Sequence, residues 1–161
     1  MSVPIIVDEW IFKDLSGEEG EEKQVQAITF LYKLEEICDR IVVLSGSPFE
    51  KKMNQFLAAE NDSVRFKSAK RVFLDLIHLN SLKKYILDES DVTELPAFLP
   101  PLIDTGDDHY LFKAYEKLKN KGCFILTCDN RWKHNELRKK GFRIKLKDSY
   151  LPEYLKRVKS A

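Results

Sequence analysis

Ile41-Val42-Val43-Leu44-Ser45-Gly46-Ser47-Pro48-Phe49-Glu50 holds one strand-to-helix handover of an α/β protein. The four apolar residues, three of them β-branched, read as a short buried strand. Ser45 to Ser47 turn the chain, Ser47 suits a helix N-cap, Pro48 suits the first helical position, and Glu50 answers the helix dipole. The same step recurs at both ends of the chain. Val3-Pro4-Ile5-Ile6-Val7 stops at Asp8, and Phe124-Ile125-Leu126-Thr127 runs into Cys128-Asp129. Phe142-Arg143-Ile144-Lys145-Leu146 alternates as an edge strand does.

Helices fill the intervals. A short one is expected at 9–15. Val25, Ile28, Leu31, Tyr32, Leu34 and Ile37 recur at three and four, which predicts an amphipathic helix over 23–38. Another follows at 49–59, and one from 63 carries Phe66, Ala69, Val72, Phe73, Leu76 and Ile77, with a short helix at 82–87 continuing it. Prolines 96, 100 and 101 bias 91–101 toward extended loop. Leu111, Phe112, Tyr115 and Leu118 mark a helix ended by Gly122. A helix at 133–140 ends at Gly141, and the tail 149–159 forms a short one. Strands separated by helices predict an α/β fold with parallel strands, right-handed crossovers and helices on both faces. The chain reads as one domain, 1–161, with a helical and loop insertion at 60–103.

Composition narrows the class. The 161 residues are 43% hydrophobic and 33% charged, with a formal net charge of +1, which excludes disordered and fibrous chains. No apolar run approaches the ~20 residues of a membrane span, and the N-terminus lacks the basic segment of a signal peptide. Three cysteines without CxxC spacing argue against a disulfide framework or zinc site and make a reducing cytoplasm the default. Charge is split: residues 119–161 hold thirteen Lys and Arg against four acids, a balance of +9 that leaves −8 on the rest. Such a split signals polyanion binding only if the cations share a face; otherwise it is a solvated surface.

In an open parallel sheet, ligands bind beyond the carboxyl ends of the strands. Asp8, Glu50 and Asp129 fall there. Asp104, Asp107 and Asp108 start the helix that leads into the Phe124 strand, so Asp108 is expected on the same edge. Two carboxylates about 5 Å apart repel by roughly 3 kcal/mol at an effective dielectric near 20. Four together need a cation or shifted pKa values, and an all-oxygen donor set suits Mg²⁺ or Mn²⁺, which support phosphodiester hydrolysis. Each acid also has a plain structural reading. Asp8 and Asp129 are candidate helix caps, Glu50 a first-turn acid, and Asp104, Asp107 and Asp108 a turn with its N-cap.

These segments, in this order, resemble a PIN domain, the metal-dependent nuclease fold that includes toxin ribonucleases of type II toxin–antitoxin modules. Ile5-Ile6-Val7-Asp8 is similar to the family's first strand and Asp, and Ile41 to Ser45 with Glu50 to its second strand, small polar residue and helical Glu. Asp108-His109-Tyr110-Leu111-Phe112-Lys113-Ala114 fits D-x-x-L-x-x-A, and Phe124 to Asn130 resembles the strand-T-x-D segment. Glu9 and Trp10 depart from the family's small polar residue after the first Asp. The resemblance implies a three-layer α/β/α sandwich and a metal-dependent endoribonuclease. It implies one or two Mg²⁺ or Mn²⁺ ions on Asp8, Glu50, Asp108 and Asp129, with Asp104, Asp107, Thr127, Asn130 and Ser45 in support. It also implies RNA as substrate and, for a toxin, an antitoxin protein as partner.

Arg131 and Lys133, with Lys145, are candidates to grip RNA phosphates, and Trp132, Trp10, Phe12 and Tyr150 to stack on bases, although aromatics so placed more often pack in the core. Exposed apolar residues in 60–103 are a candidate homodimer surface. Two rival readings stand beside the nuclease. One is a PIN-like RNA-binding or scaffold module with little turnover, and the other is a response-regulator-like domain, for which the acids and lysines lie in the wrong order.

Overall fold

A computed structural model of the chain describes residues 2–80, 82–88, 94–103 and 106–158. Among these residues five strands, β1 (Pro4–Val7), β2 (Arg40–Leu44), β3 (Lys84–Leu87), β4 (Phe124–Thr127) and β5 (Ile144–Leu146), form one sheet in the order β3-β2-β1-β4-β5. Every pairing is parallel, with Ile5 opposite both Ile41 and Phe124, and Ile125 opposite Ile144. Among the described residues seven α-helices flank it: α1 (Trp10–Leu15), α2 (Glu21–Ile37), α3 (Pro48–Ala58), α4 (Val64–Phe73), α5 (His109–Leu118), α6 (His134–Lys139) and α7 (Lys147–Leu155). The architecture is the expected α/β class, a three-layer α/β/α sandwich.

Alternation along the strands builds two cores. Ile5, Val7, Ile41, Val43, Phe124 and Leu126 face one side, where α1 to α4 and α7 contribute Trp10, Phe30, Phe56, Phe73 and Tyr154. Ile6, Val42, Leu44, Ile125 and Ile144 face the other, covered by Leu111, Phe112 and Tyr115 of α5 and Leu137 of α6. Strands buried on both faces must read as unbroken apolar runs, which is why they are conspicuous in the sequence.

From β1 the chain winds outward to β2 and β3, then returns to lay β4 on the other side of β1. Crossovers of one hand running to opposite sides deliver their helices to opposite faces. Those leaving β1 and β4 therefore diverge and open a crevice between them. That crevice positions the site.

Three expectations are corrected. Residues 84–87 are not helical: they pair with β2 from Ile41↔Lys84 to Leu44↔Leu87. As an edge strand β3 buries little, with Ile86 61% exposed, and its apolar run, Tyr85-Ile86-Leu87, is only three residues long between Lys84 and Asp88. Its backbone bonds to β2 decide the conformation. The described part of 60–103 thus belongs to the main fold, since it supplies β3 and, through Phe66, Ala69 and Phe73 of α4, part of the first core. The last helix begins at Lys147, with Pro152 inside it, because Leu151 and Tyr154 are buried in that core.

The handover at Ser47 forms as read. Its hydroxyl accepts from the Glu50 backbone N–H at 3.2 Å, with Pro48 at the first helical position.

Candidate functional site

Beyond the carboxyl ends of β1 and β4 lies a cleft of about 600 Å³ whose lining includes Asp8, Asp108, Asp129, Asn130 and Arg131. Asp8 leaves β1 directly, and its backbone N–H donates to the Leu126 carbonyl of β4 at 3.2 Å. The carboxylate accepts from the Thr127 hydroxyl at 2.7 Å and from the Glu9 backbone N–H. The same Thr127 oxygen accepts from the Asp129 N–H at 3.0 Å. One fully buried threonine at the end of β4 therefore ties two acids 121 positions apart in the chain.

Asp129 turns its carboxylate onto Arg131. Oδ1 accepts from the Arg131 backbone N–H at 2.8 Å and Nε at 3.1 Å, and Oδ2 from Nη2 at 2.7 Å. Asp108 opens α5 without capping it through its side chain; its Oδ2 accepts from the Trp132 indole N–H at 3.0 Å. The capping alternative is therefore not realised at Asp108. Nor is it at Asp8, because α1 starts from Glu9 with no side-chain cap.

The electrostatics single out Asp8. Burial pushes its carboxyl above the usual range, and the charges of Asp108 and Asp129 push it further, against the Thr127 and Glu9 hydrogen bonds. At Asp129 burial acts in the same direction, but the Arg131 hydrogen bonds and charge outweigh it and hold that carboxyl below the usual range. Within the cleft, seven described carboxylate residues face four cationic ones, Lys13, Lys23, Arg131 and Lys147.

A hard dication is tested against this donor set. The available donors are carboxylate oxygens, the kind Mg²⁺ and Mn²⁺ prefer, and a dication would offset both the burial of the Asp8 charge and its repulsion by Asp108 and Asp129. Among the described residues, no three His, Cys, Asp or Glu side chains are grouped as a ready-made cage; Asp129 is drawn to Arg131 and Asp108 to Trp132. The residues fit by donor chemistry, and Asp129 would have to part from Arg131 to take part.

Glu50 is placed elsewhere. Its Oε1 accepts from the Gly46 backbone N–H at 3.1 Å, and it lines a separate recess with Ser47 and Asn54. Ser47-Pro48-Phe49-Glu50 has the Ser-x-x-Glu spacing of a capping box, yet only its Ser47 half forms, since Glu50 accepts from Gly46 while the Ser47 N–H donates to the Leu44 carbonyl. Ser45 lines a third recess with His109 and Tyr110. Lys133 is exposed on the far side of Trp132 in the chain and is absent from the cleft lining. Asp104 lies outside the described residues, and Asp107 is described only by its backbone, in the 3-10 turn Gly106–Asp108.

The aromatic expectations are corrected by burial. Trp10 is 4% and Trp132 3% exposed, and Phe12 is a core residue, so none of the three offers a ring face to a base. Trp10 instead donates to the Leu126 carbonyl at 3.0 Å and locks α1 to β4. Tyr150 stacks on Phe124 with centroids 5.1 Å apart.

Sequence reasoning missed two features of the site. Lys147, directly after β5, reaches the buried Asp14 of α1 at 2.8 Å, each side chain 3% exposed, with its ammonium 5.0 Å from the Trp10 ring centroid. Its position immediately after a strand was the available clue. The Tyr110 hydroxyl is buried without a hydrogen-bond partner among the described residues. Burial, then the fields of Asp8, Glu9 and Asp108, push its ionisation upward.

In comparisons with known proteins, no family model, no curated protein and no solved structure matches this chain.

Proposed function

We propose that this chain is a metal-dependent endoribonuclease of PIN type, with Asp8, Asp108 and Asp129 as the acids that hold Mg²⁺ or Mn²⁺. The observation that carries the reading is the meeting of these three acids in one cleft at the switch point of a parallel sheet, with Asp8 raised by burial first and then by the charges of the other two. When bound, the dication would activate water and offset charge on the departing oxygen of a phosphodiester. Thr127 holds the Asp8 carboxylate through Oδ2. Asn130 and Arg131 line the same cleft; Arg131, 60% exposed, is suited to exchange Asp129 for a phosphate.

RNA is the substrate class that the PIN resemblance implies. Arg138, Lys139, Lys140, Arg143 and Lys145 are exposed on α6, β5 and the turn between them but lie outside the cleft lining; of the cations, Arg131 is the exposed one at the acids themselves. Glu50 and Ser45 are left out of the donor set, because Glu50 is engaged with Gly46. Among the described residues no helix is long and apolar enough to cross a membrane. An antitoxin partner would follow only for a toxin.

The test is cleavage of a single-stranded RNA with and without Mn²⁺. Metal-dependent cutting that Asp8→Asn abolishes is expected; its absence from the wild-type chain defeats the nuclease reading. The hold of Arg131 on Asp129 favours a second reading, an RNA-binding module without turnover, which predicts RNA retention with no cutting at any Mn²⁺ concentration.

A further inference from the structure

Asp108 and Asp129 come from different elements, and the short segment after β4 meets both. Trp132 donates its indole N–H to Asp108 Oδ2 at 3.0 Å. Its ring is 3% exposed and packs edge-on against Phe112 of α5, with centroids 5.1 Å apart. It also meets the His134 ring, with centroids 5.7 Å apart, and His134 Nε2 lies 2.7 Å from the Asp129 carbonyl oxygen. A carbonyl only accepts, so that ring nitrogen carries the proton. The backbone is pinned as well: the Lys133 N–H donates to the Leu102 carbonyl at 2.9 Å and the His134 N–H to the Trp132 carbonyl at 3.0 Å.

We propose that Trp132 is a positioning residue. Its indole N–H sets the direction of the Asp108 carboxylate, and its packing on His134 couples that acid to Asp129, so that 129–134 brackets the two. This role differs from base stacking, for which the buried ring is unsuited. It also differs from a core tryptophan's ordinary role, because the polar edge is spent on a carboxylate that lines the cleft. An N–H donor to a ligating carboxylate is the kind of outer partner that fixes ligand orientation in metal sites. The inference rests on the reading of Asp108 and Asp129 as functional acids.

The chain has two tryptophans, so its ¹H–¹⁵N spectrum holds two indole N–H signals, and Trp10→Phe assigns them. In the metal-free full chain, Asp108→Asn should displace the Trp132 indole signal and leave that of Trp10 in place. An unmoved Trp132 signal overturns the bracket, without needing any Trp132 variant to fold. Trp132→Phe keeps most of the ring and removes the donor; calorimetric Mn²⁺ affinity should then weaken about ten-fold, the lower range for loss of an outer-shell partner. A folded Trp132→Phe chain that binds Mn²⁺ as the wild type does overturns the positioning role. Wild-type chain that binds no Mn²⁺ at all overturns the metal reading instead, and the indole shift then decides the bracket on its own.

Discussion

At the amino end of the sheet, Asp39 just before β2 is 1% exposed in its side chain. It accepts from the Val3 backbone N–H at 3.0 Å and the Tyr154 hydroxyl at 2.8 Å, with Arg157 3.9 Å away. At the carboxyl end, Asp8 accepts from the Thr127 hydroxyl and the Glu9 N–H yet faces the charges of Asp108 and Asp129. Both are shielded acids beside parallel strands. Asp39 has donors and a cation around it and clamps α7 to the start of β1. Asp8 has donors too, but burial, and then the charges of two acids, oppose its charged form. A carboxylate ringed by hydrogen-bond donors that tie separate elements together serves stability. One whose charge its surroundings oppose is a candidate for function, because a ligand of opposite charge can supply what the fold withholds.

The comparison can be broken by removing each acid or its partner. The largest effect is expected from Lys147→Met, which leaves Asp14 buried without its cation. Breaking a buried pair from one side costs about 3–5 kcal/mol, read as a loss in denaturant midpoint. Asp39→Ala should cost about 2–4 kcal/mol by stranding the Tyr154 hydroxyl and the Val3 N–H, measured in the same way. A loss below about 1 kcal/mol would remove Asp39 as a clamp.

Asp8→Asn should do the reverse. Metal-free chain should become more stable at neutral pH, while Mn²⁺-dependent RNA cleavage falls by more than about 100-fold, beyond the range for an outer partner. A stability loss like that of Asp39→Ala would erase the contrast between the two ends. The sign follows from linkage. The folded Asp8 carboxyl titrates above its unfolded value, so the folded state holds the extra proton between those two values and stability falls as pH rises through them. The thermal advantage of Asp8→Asn should therefore be widest near neutrality and shrink as pH falls toward about 4, the ordinary Asp range. A gap that widens with acid would contradict a raised Asp8. The smallest effect belongs to Glu50→Gln: because Glu50 is engaged with Gly46 outside the cleft, cleavage should change by less than about 3-fold, and a loss matching Asp8→Asn would return it to the donor set.

Much of the site was legible beforehand for a simple reason. Asp8 and Asp129 end apolar runs, and residues that end parallel strands share one edge whatever the strand order. Asp108 followed from the antiparallel return of its helix. Glu50 followed the same rule, yet its side chain bends back to Gly46, and rotamer choice is not a periodic property. Trp10 and Trp132 could not be assigned to core or surface from their neighbours in the chain, because Leu126, Phe112 and Asp108, which decide the matter, lie far from them in sequence.

Read alone, the residues determined where strands buried on both faces occur, where helices start, and which acids end at one rim, since side-chain period and capping chemistry act over a few positions. Tertiary structure decided the strand order β3-β2-β1-β4-β5, the edge strand β3, the Lys147–Asp14 pair and the Trp132 link to Asp108. Each of these depends on which distant backbone or side chain arrives as a partner, and that is settled by packing of the whole chain.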